Sequence, residues 1–300
     1  MSSVVTELEM NGQYGTAHVC GSVLRSVMAF GGEGLPVSGI TPLWLKAYEG
    51  YLLHKGGKGL AWNTVSTYMR MLQAVYNRAV ARKLAAFIPH QFRDVFTGRK
   101  ADHRRVLERD DMQKLLVERE PDITSPGMAW ARACLELMFR FHGMPFVDLA
   151  HLRKSDLKDG YLTLRRRKTG MPLSARVDGR AMQLLERYRN RDDTSPYLLC
   201  FLDGNLEGMA AYRDYQRILR LLNSRLRALA LWKKVQGKVT SYSARHTWAT
   251  VGRYCHIPIE VISEGLGHAS VTTTEGYMKG FGNSRMDRAN KVIMNYIFKG

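Results

Sequence analysis

The stretch LKDGYLTLRRRKTGMPLSARV (Leu157–Val177) breaks the character of the chain around it. Asp159-Gly160 is a tight-turn pair, because glycine takes the positive φ that such turns need. An alternating run follows, then Lys168-Thr169-Gly170 as a second turn, then a further short run. Alternation with a period of two is the strand pattern, and turn signals at this spacing describe a hairpin. The segments on either side read with helical periodicity. The expected class is therefore mainly α with a small antiparallel β-sheet.

Upstream, the N-terminal third reads as helices. Val19, Val23, Val27 and Phe30 recur on one helical face. Thr41-Pro42 is a cap followed by a first-turn proline, opening a helix through Trp44, Leu45, Tyr48 and Leu52. Asn63 reads as the cap of a long helix with Val65, Tyr68, Leu72, Val75 and Ala79 inward. Its opposite side carries Ser66, Arg70, Gln73 and Asn77, groups able to contact phosphates and base edges. The basic stretch TGRKADHRR (Thr97–Arg105) reads as a linker. A helix at Asp110–Glu120 and another opened by Ser125-Pro126 lead to the hairpin. Downstream come helices at about 180–190, 212–232, 243–254 and 258–264, and an amphipathic one at 284–298.

Composition narrows the partner. The 300 residues include 45 Lys plus Arg against 27 Asp plus Glu, a formal charge of +18, which implies a polyanion. No apolar run approaches the roughly 18 residues of a membrane span. The N-terminus lacks a basic segment followed by an apolar one, so it is not a signal peptide. Cys20, Cys134, Cys200 and Cys255 have no short pair spacing, against a zinc ribbon or disulfide framework and in keeping with a reducing cytoplasm. No acidic metal cluster is evident, and neither metal nor cofactor is expected.

Three blocks carry chemistry: RRRKTG with Lys168, SYSARHTWAT with Arg245 and His246, and LGHASVTTTEGY with His268 and Tyr277. Cleaving a phosphodiester with a protein nucleophile needs an activated hydroxyl, cations on the non-bridging oxygens and a proton for the leaving oxygen. Tyr277 would attack and Arg245 would stabilise the phosphate. His268 would donate to the phosphate or manage the tyrosine proton, and Lys168 would reach the leaving oxygen. Taken singly, each residue has a plain structural reading; their joint order and spacing favour the functional one.

These blocks resemble those of the tyrosine recombinases, the phage-integrase family, over nearly the whole chain. ARHTWAT is similar to the family's second-arginine block, LGHASVTTTEGY to its His-to-Tyr block, and RRRKTG sits where the family keeps its hairpin lysine. The resemblance implies an all-helical core-binding domain (1–96), a basic linker (97–106) and a mixed α+β catalytic domain (107–300), forming a C-shaped clamp around DNA. It also implies site-specific recombination through a 3′-phosphotyrosyl intermediate and a Holliday junction, without ATP. The partners would be double-stranded DNA with inverted-repeat core sites and further copies of the chain: a monomer when free, a dimer on each site, a tetramer at the synapse. Accessory DNA-bending proteins and docking of the last helix on a neighbouring copy are compatible with it. DNA contacts are expected from Asn63, Ser66, Thr67, Arg70, Gln73, Asn77, Arg99, Lys100, Arg104, Arg105, Arg165, Arg167 and His246.

Two positions depart from the pattern. Tyr242 stands three residues before Arg245, where the family usually has His. In FRFHGMPFVDLAHL (Phe139–Leu152), Pro145 stands where the first catalytic arginine is expected, and it has no donor. A subgroup of mobile-element integrases and DNA invertases resembles this GMPFVDLA block. The substitute cation is expected one turn earlier: Arg140 first, then His142, with Arg132 more remote. The chain begins almost directly with the helical domain, which favours a simple recombinase such as an invertase. Competing expectations are a DNA-binding protein that has lost the chemistry, and a type IB topoisomerase-like enzyme.

Overall fold

The computed structural model describes residues 1–100, 106–116, 125–268 and 270–275. They fall into two compact units, the first holding residues 1–100 with Leu206–Tyr212 and the second holding the rest. As expected, the chain is mostly helical with one small antiparallel sheet.

The first unit contains α1 (Ser2–Met10), α2 (Tyr14–Gly31), α3 (Pro42–His54) and α4 (Trp62–Ala81). Thr41 caps α3 as its sequence suggests, its hydroxyl accepting from the Trp44 N–H at 3.1 Å. Val23, Leu45, Tyr48, Leu52, Val65, Met69 and Leu72 fill the core. Helix α1 buries Val4 and Leu8 against Ala17, Cys20 and Val75.

Two readings of α4 are corrected. Asn63 is not its cap: the helix begins at Trp62, and Asn63 reaches across the chain instead. Its side chain exchanges two 2.8 Å hydrogen bonds with the backbone of Lys100. Ser66 does not share the exposed polar strip, because it is buried and donates to the Gly98 carbonyl at 2.6 Å. The start of the basic stretch is thus stitched to α4, and the Lys100 ammonium lies 4.4 Å over the Trp62 ring. Arg70 and Asn77 are exposed as expected.

The second unit is built on α6 (Pro126–Arg140), whose Cys134, Leu135, Leu137 and Met138 are fully buried. Around it lie α5 (Arg109–Leu116), the five-residue α7 (Phe146–Ala150), the strands β1 (Leu157–Lys158), β2 (Tyr161–Arg165) and β3 (Pro172–Arg176), then α8 (Gly179–Arg187) and, from Arg213 on, α9 (Gly208–Trp232). The sheet order is β1-β2-β3, with Leu162 opposite Ala175 and Leu164 opposite Leu173. Leu162, Leu173 and Ala175 face the core. The chain then forms α10 (Ser243–Tyr254), α11 (Ile259–Gly265) and the short α12 (Val271–Glu275). Ala249, Ile262 and Leu266 make a separate small core that seats α10 on α11. The helix expected at 284–298 lies outside the described residues. Among the described residues no helix is long and apolar enough to cross a membrane.

Candidate active site

Arg245 sits in the first turn of α10, 3% exposed. Two helix ends hold it. At the end of α6 the chain turns through His142 and Gly143, both at positive φ, and the Gly143 carbonyl accepts from Arg245 Nη1 at 3.1 Å. A side chain at Gly143 is barred, since its Cβ would stand 2.9 Å from the Arg245 Cα.

The second end is that of α11. The Gly267 N–H returns to the Glu264 carbonyl and the His268 N–H to the Ser263 carbonyl, with Gly267 at φ +61°. This is the Schellman arrangement, which ends a helix by reversing the chain through a left-handed residue. It leaves the Leu266 carbonyl to accept from Arg245 Nη2 at 2.7 Å and sets the His268 imidazole beside it.

His268 Nε2 lies 2.7 Å from Arg245 Nη2, and its Nδ1 lies 2.8 Å from the Thr274 hydroxyl. An arginine has no acceptor, so Nε2 must carry the lone pair and Nδ1 the proton. The Arg245 contact thus fixes the tautomer, and the hydroxyl of Thr274, fully buried on α12, accepts from Nδ1. Burial pushes the His268 pKa down to about 4, and the charges of Arg245, Arg166 and Lys168 push in the same direction. The imidazole is neutral near pH 7, in a field set by cations.

Lys168 is exposed in the β2–β3 turn, and it reaches His268 electrostatically. The turn is anchored from α7. Asp148, 2% exposed, accepts from Arg166 Nε at 3.0 Å through one oxygen and from the Arg167 backbone N–H at 3.0 Å through the other. Arg166 was not among the expected site residues. It is 6% exposed, and its side chain lies across Gly267: a Cβ there would come within 2.6 Å of Arg166 Cδ and 2.9 Å of Nη1. Strand parity was the available signal, because Leu162, Leu164 and Arg166 share one face.

The candidates for the missing first arginine are placed as follows. Pro145 precedes α7 with ordinary extended backbone. Arg140 bonds Glu136 at 2.9 Å and Asp178 at 2.7 Å. His142 packs 5.7 Å from the Trp248 ring, and burial lowers its pKa. Arg132 donates to the Leu116 carbonyl. Tyr242 is 40% exposed at the start of α10, next to the His246 ring, and His246 itself is buried. Arg165 is exposed and bonds the Gly170 carbonyl, and the charge of Arg167 helps lower the His151 pKa. In the first unit, Thr67 bonds back to the Asn63 carbonyl, Gln73 is half-buried and Arg99 is exposed. Tyr277, Arg104 and Arg105 lie outside the described residues.

Residues 1–93 match the phage integrase SAM-like domain, and residues 105–281 match the phage integrase family. Tyrosine recombinase XerA of Pyrococcus furiosus is 29% identical over 140 residues, covering 46% of each chain, so the match spans about half the length of that relative. A putative integrase/recombinase of Sinorhizobium fredii is 27% identical over 180 residues, covering 58% of this chain and 88% of that one. Among solved structures, a lambda integrase dimer bound to a core site superposes with a TM-score of 0.63 at 18% identity, covering 89% of both chains. The Tn1549 transposon integrase in complex with transposon right end DNA gives 0.60 at 17%, covering 92% of both. At such identities these two structures speak for the fold alone. With the family model spanning more than half of the sequence, and with Arg245 and His268 of its motif blocks brought into direct contact, the chain belongs to the phage integrase family, the tyrosine recombinases.

Proposed function

We propose that the protein is a site-specific DNA recombinase that breaks and rejoins DNA through Tyr277, without metal or ATP. The observation that carries this reading is the contact of Arg245 with His268 in a field of cations, inside a chain of this family. In the proposed step the Tyr277 oxygen forms a bond to the scissile phosphorus and the P–O5′ bond breaks. The tyrosine proton leaves to a base, for which the unprotonated Nε2 of His268 is available, and the 5′ oxygen takes a proton from Lys168. A 5′ hydroxyl of a partner strand reverses the step. The DNA named with the solved neighbours, and a lambda integrase tetramer bound to a Holliday junction, support a dimer on each inverted-repeat site and a tetramer at the synapse. Such an enzyme would work in the cytoplasm.

A nicked substrate traps the covalent step. The intact protein is expected to form an adduct that migrates with the DNA on denaturing gels and disappears in Tyr277→Phe. Without an adduct from the intact protein, the reading of a DNA-binding relative that has lost chemistry, motivated by Pro145, takes its place. Adducts accompanied by relaxation but no Holliday junctions would favour the topoisomerase-like reading.

A further inference from the structure

We infer that Arg166, from the β2–β3 turn, supplies the phosphate-binding cation that Pro145 cannot, and that Asp148 of the Pro145 block positions it. The inference rests on the proposed phosphoryl-transfer reading and deepens it.

Four observations converge. Arg166 is more than nine-tenths buried, which is costly for a permanently charged group and needs a reason. Among the described residues its one ion pair uses Nε, towards Asp148 at 3.0 Å. Its Nη1 is buried with no hydrogen-bond partner among the described residues, an uncommon condition for a guanidinium N–H. That Nη1 lies against Gly267, the residue before His268, where even one methyl group would collide with it. The unsatisfied donor thus lies one residue from the imidazole that touches Arg245.

The alternatives differ in kind. Arg140 is occupied by two carboxylates, and moving it to a phosphate would abandon them. His142 is shifted towards the neutral form by burial and carries no dependable charge. A guanidinium is a permanent cation, and the fork of Arg166 has donors beyond the one Asp148 uses. The Pro145 block has therefore kept an acid where the arginine is missing. Asp148 draws in a cation 18 positions later in sequence, and its second oxygen, on the Arg167 N–H, holds the turn in register. A scissile phosphate gathering charge in the transition state would then meet Arg245 from one side and Arg166 from the other.

Two measurements on the full chain test this. Single-turnover cleavage is compared on a nicked substrate with an ordinary scissile phosphate and on one with an uncharged methylphosphonate there. Arg166→Ala should slow the first on the order of 10²–10³-fold, as loss of a transition-state donor does, and slow the second far less. Arg166→Lys, which keeps the charge towards Asp148 and so the fold, should still lose roughly tenfold or more because the fork is gone. Cleavage at the intact rate, or equal losses on both substrates, would overturn the inference. The second measurement needs no turnover: inorganic phosphate is titrated while the His268 imidazole is followed by NMR. Binding should weaken at least about tenfold, roughly one decade of affinity, in both variants. If phosphate binds equally to all three proteins, or fails to perturb His268 in the intact one, Arg166 is not the ligand. Arg166-dependent phosphate binding without cleavage by the intact protein would uphold the site and remove the recombinase reading instead.

Discussion

The second unit holds two arginine clusters that look alike in sequence and differ in chemistry. Around Glu136 on α6, three arginines share one buried carboxylate: Arg140 at 2.9 Å, Arg180 at 3.2 Å and Arg132 at 3.6 Å. Asp178 adds a second acid for Arg140. Around Gly267, by contrast, Arg245 is held by two main-chain carbonyls and an imidazole. Carboxylates neutralise a cation and fix it in place. Carbonyls and a neutral imidazole orient it without cancelling its charge, which adds to burial in depressing the His268 pKa. A structural arginine and an anion-binding one are told apart by how much of the guanidinium the carboxylates take: Arg140 gives them Nε, Nη1 and Nη2, whereas Arg166 gives Asp148 its Nε and leaves Nη1 over.

The largest test of this contrast is one arginine from each cluster. Arg245→Ala should lower single-turnover cleavage on the order of 10²–10³-fold or more. Arg140→Ala should change cleavage by less than about threefold and cost about 1 kcal/mol of stability, read by chemical denaturation, because Glu136 keeps two other arginines. A large cleavage defect in Arg140→Ala would break the comparison.

Acid separates the clusters more gently. His268 and His151 both titrate near 4 in the folded chain, below the ordinary histidine value of about 6.5. As pH falls below about 6.5 the unfolded chain takes up these protons first, so the contribution of these two histidines makes stability decline between roughly pH 6.5 and 4 and levels off below. The Asp178 carboxyl is held below its usual value, first by the Ala181 N–H and then by Arg140. Its contribution is present above about pH 4 and is lost only as pH falls further. Denaturation midpoints followed from pH 7 to 3 should show the first window, and His268→Gln should flatten it.

The smallest effect expected is that of Asp178→Asn. The amide can still cap α8 at the Ala181 N–H, now 2.7 Å from the carboxylate, but loses the charge for Arg140. A loss of under about 1 kcal/mol is expected for so exposed an ion pair, with cleavage unchanged.

How much of this was legible beforehand follows from the range of each interaction. The Thr41 cap, the strand alternation and the α10 boundaries depend on neighbours within a turn, and the sequence displays them. Asn63 and Ser66 were misread because their partners are Lys100 and Gly98, more than thirty positions away. The same limit hid Thr274, one of several hydroxyls before Tyr277 until the fold set it on His268. Arg166 is the instructive omission. It was passed over between Arg165 and Arg167, although the period-two pattern that identified β2 already placed it with Leu162 and Leu164.

The His268 imidazole has a consequence for timing. One lone pair cannot accept from Arg245 and also donate to a phosphate oxygen. Nε2 can gain a proton only as it releases the guanidinium, while Nδ1 stays on Thr274 throughout. Arrival of an anion would favour both changes at once, since negative charge raises the basicity of the imidazole just as it draws the arginine away. Substrate loading thus readies Nε2 to take the Tyr277 proton in the proposed step, and the site arms itself with the ligand it is to act upon.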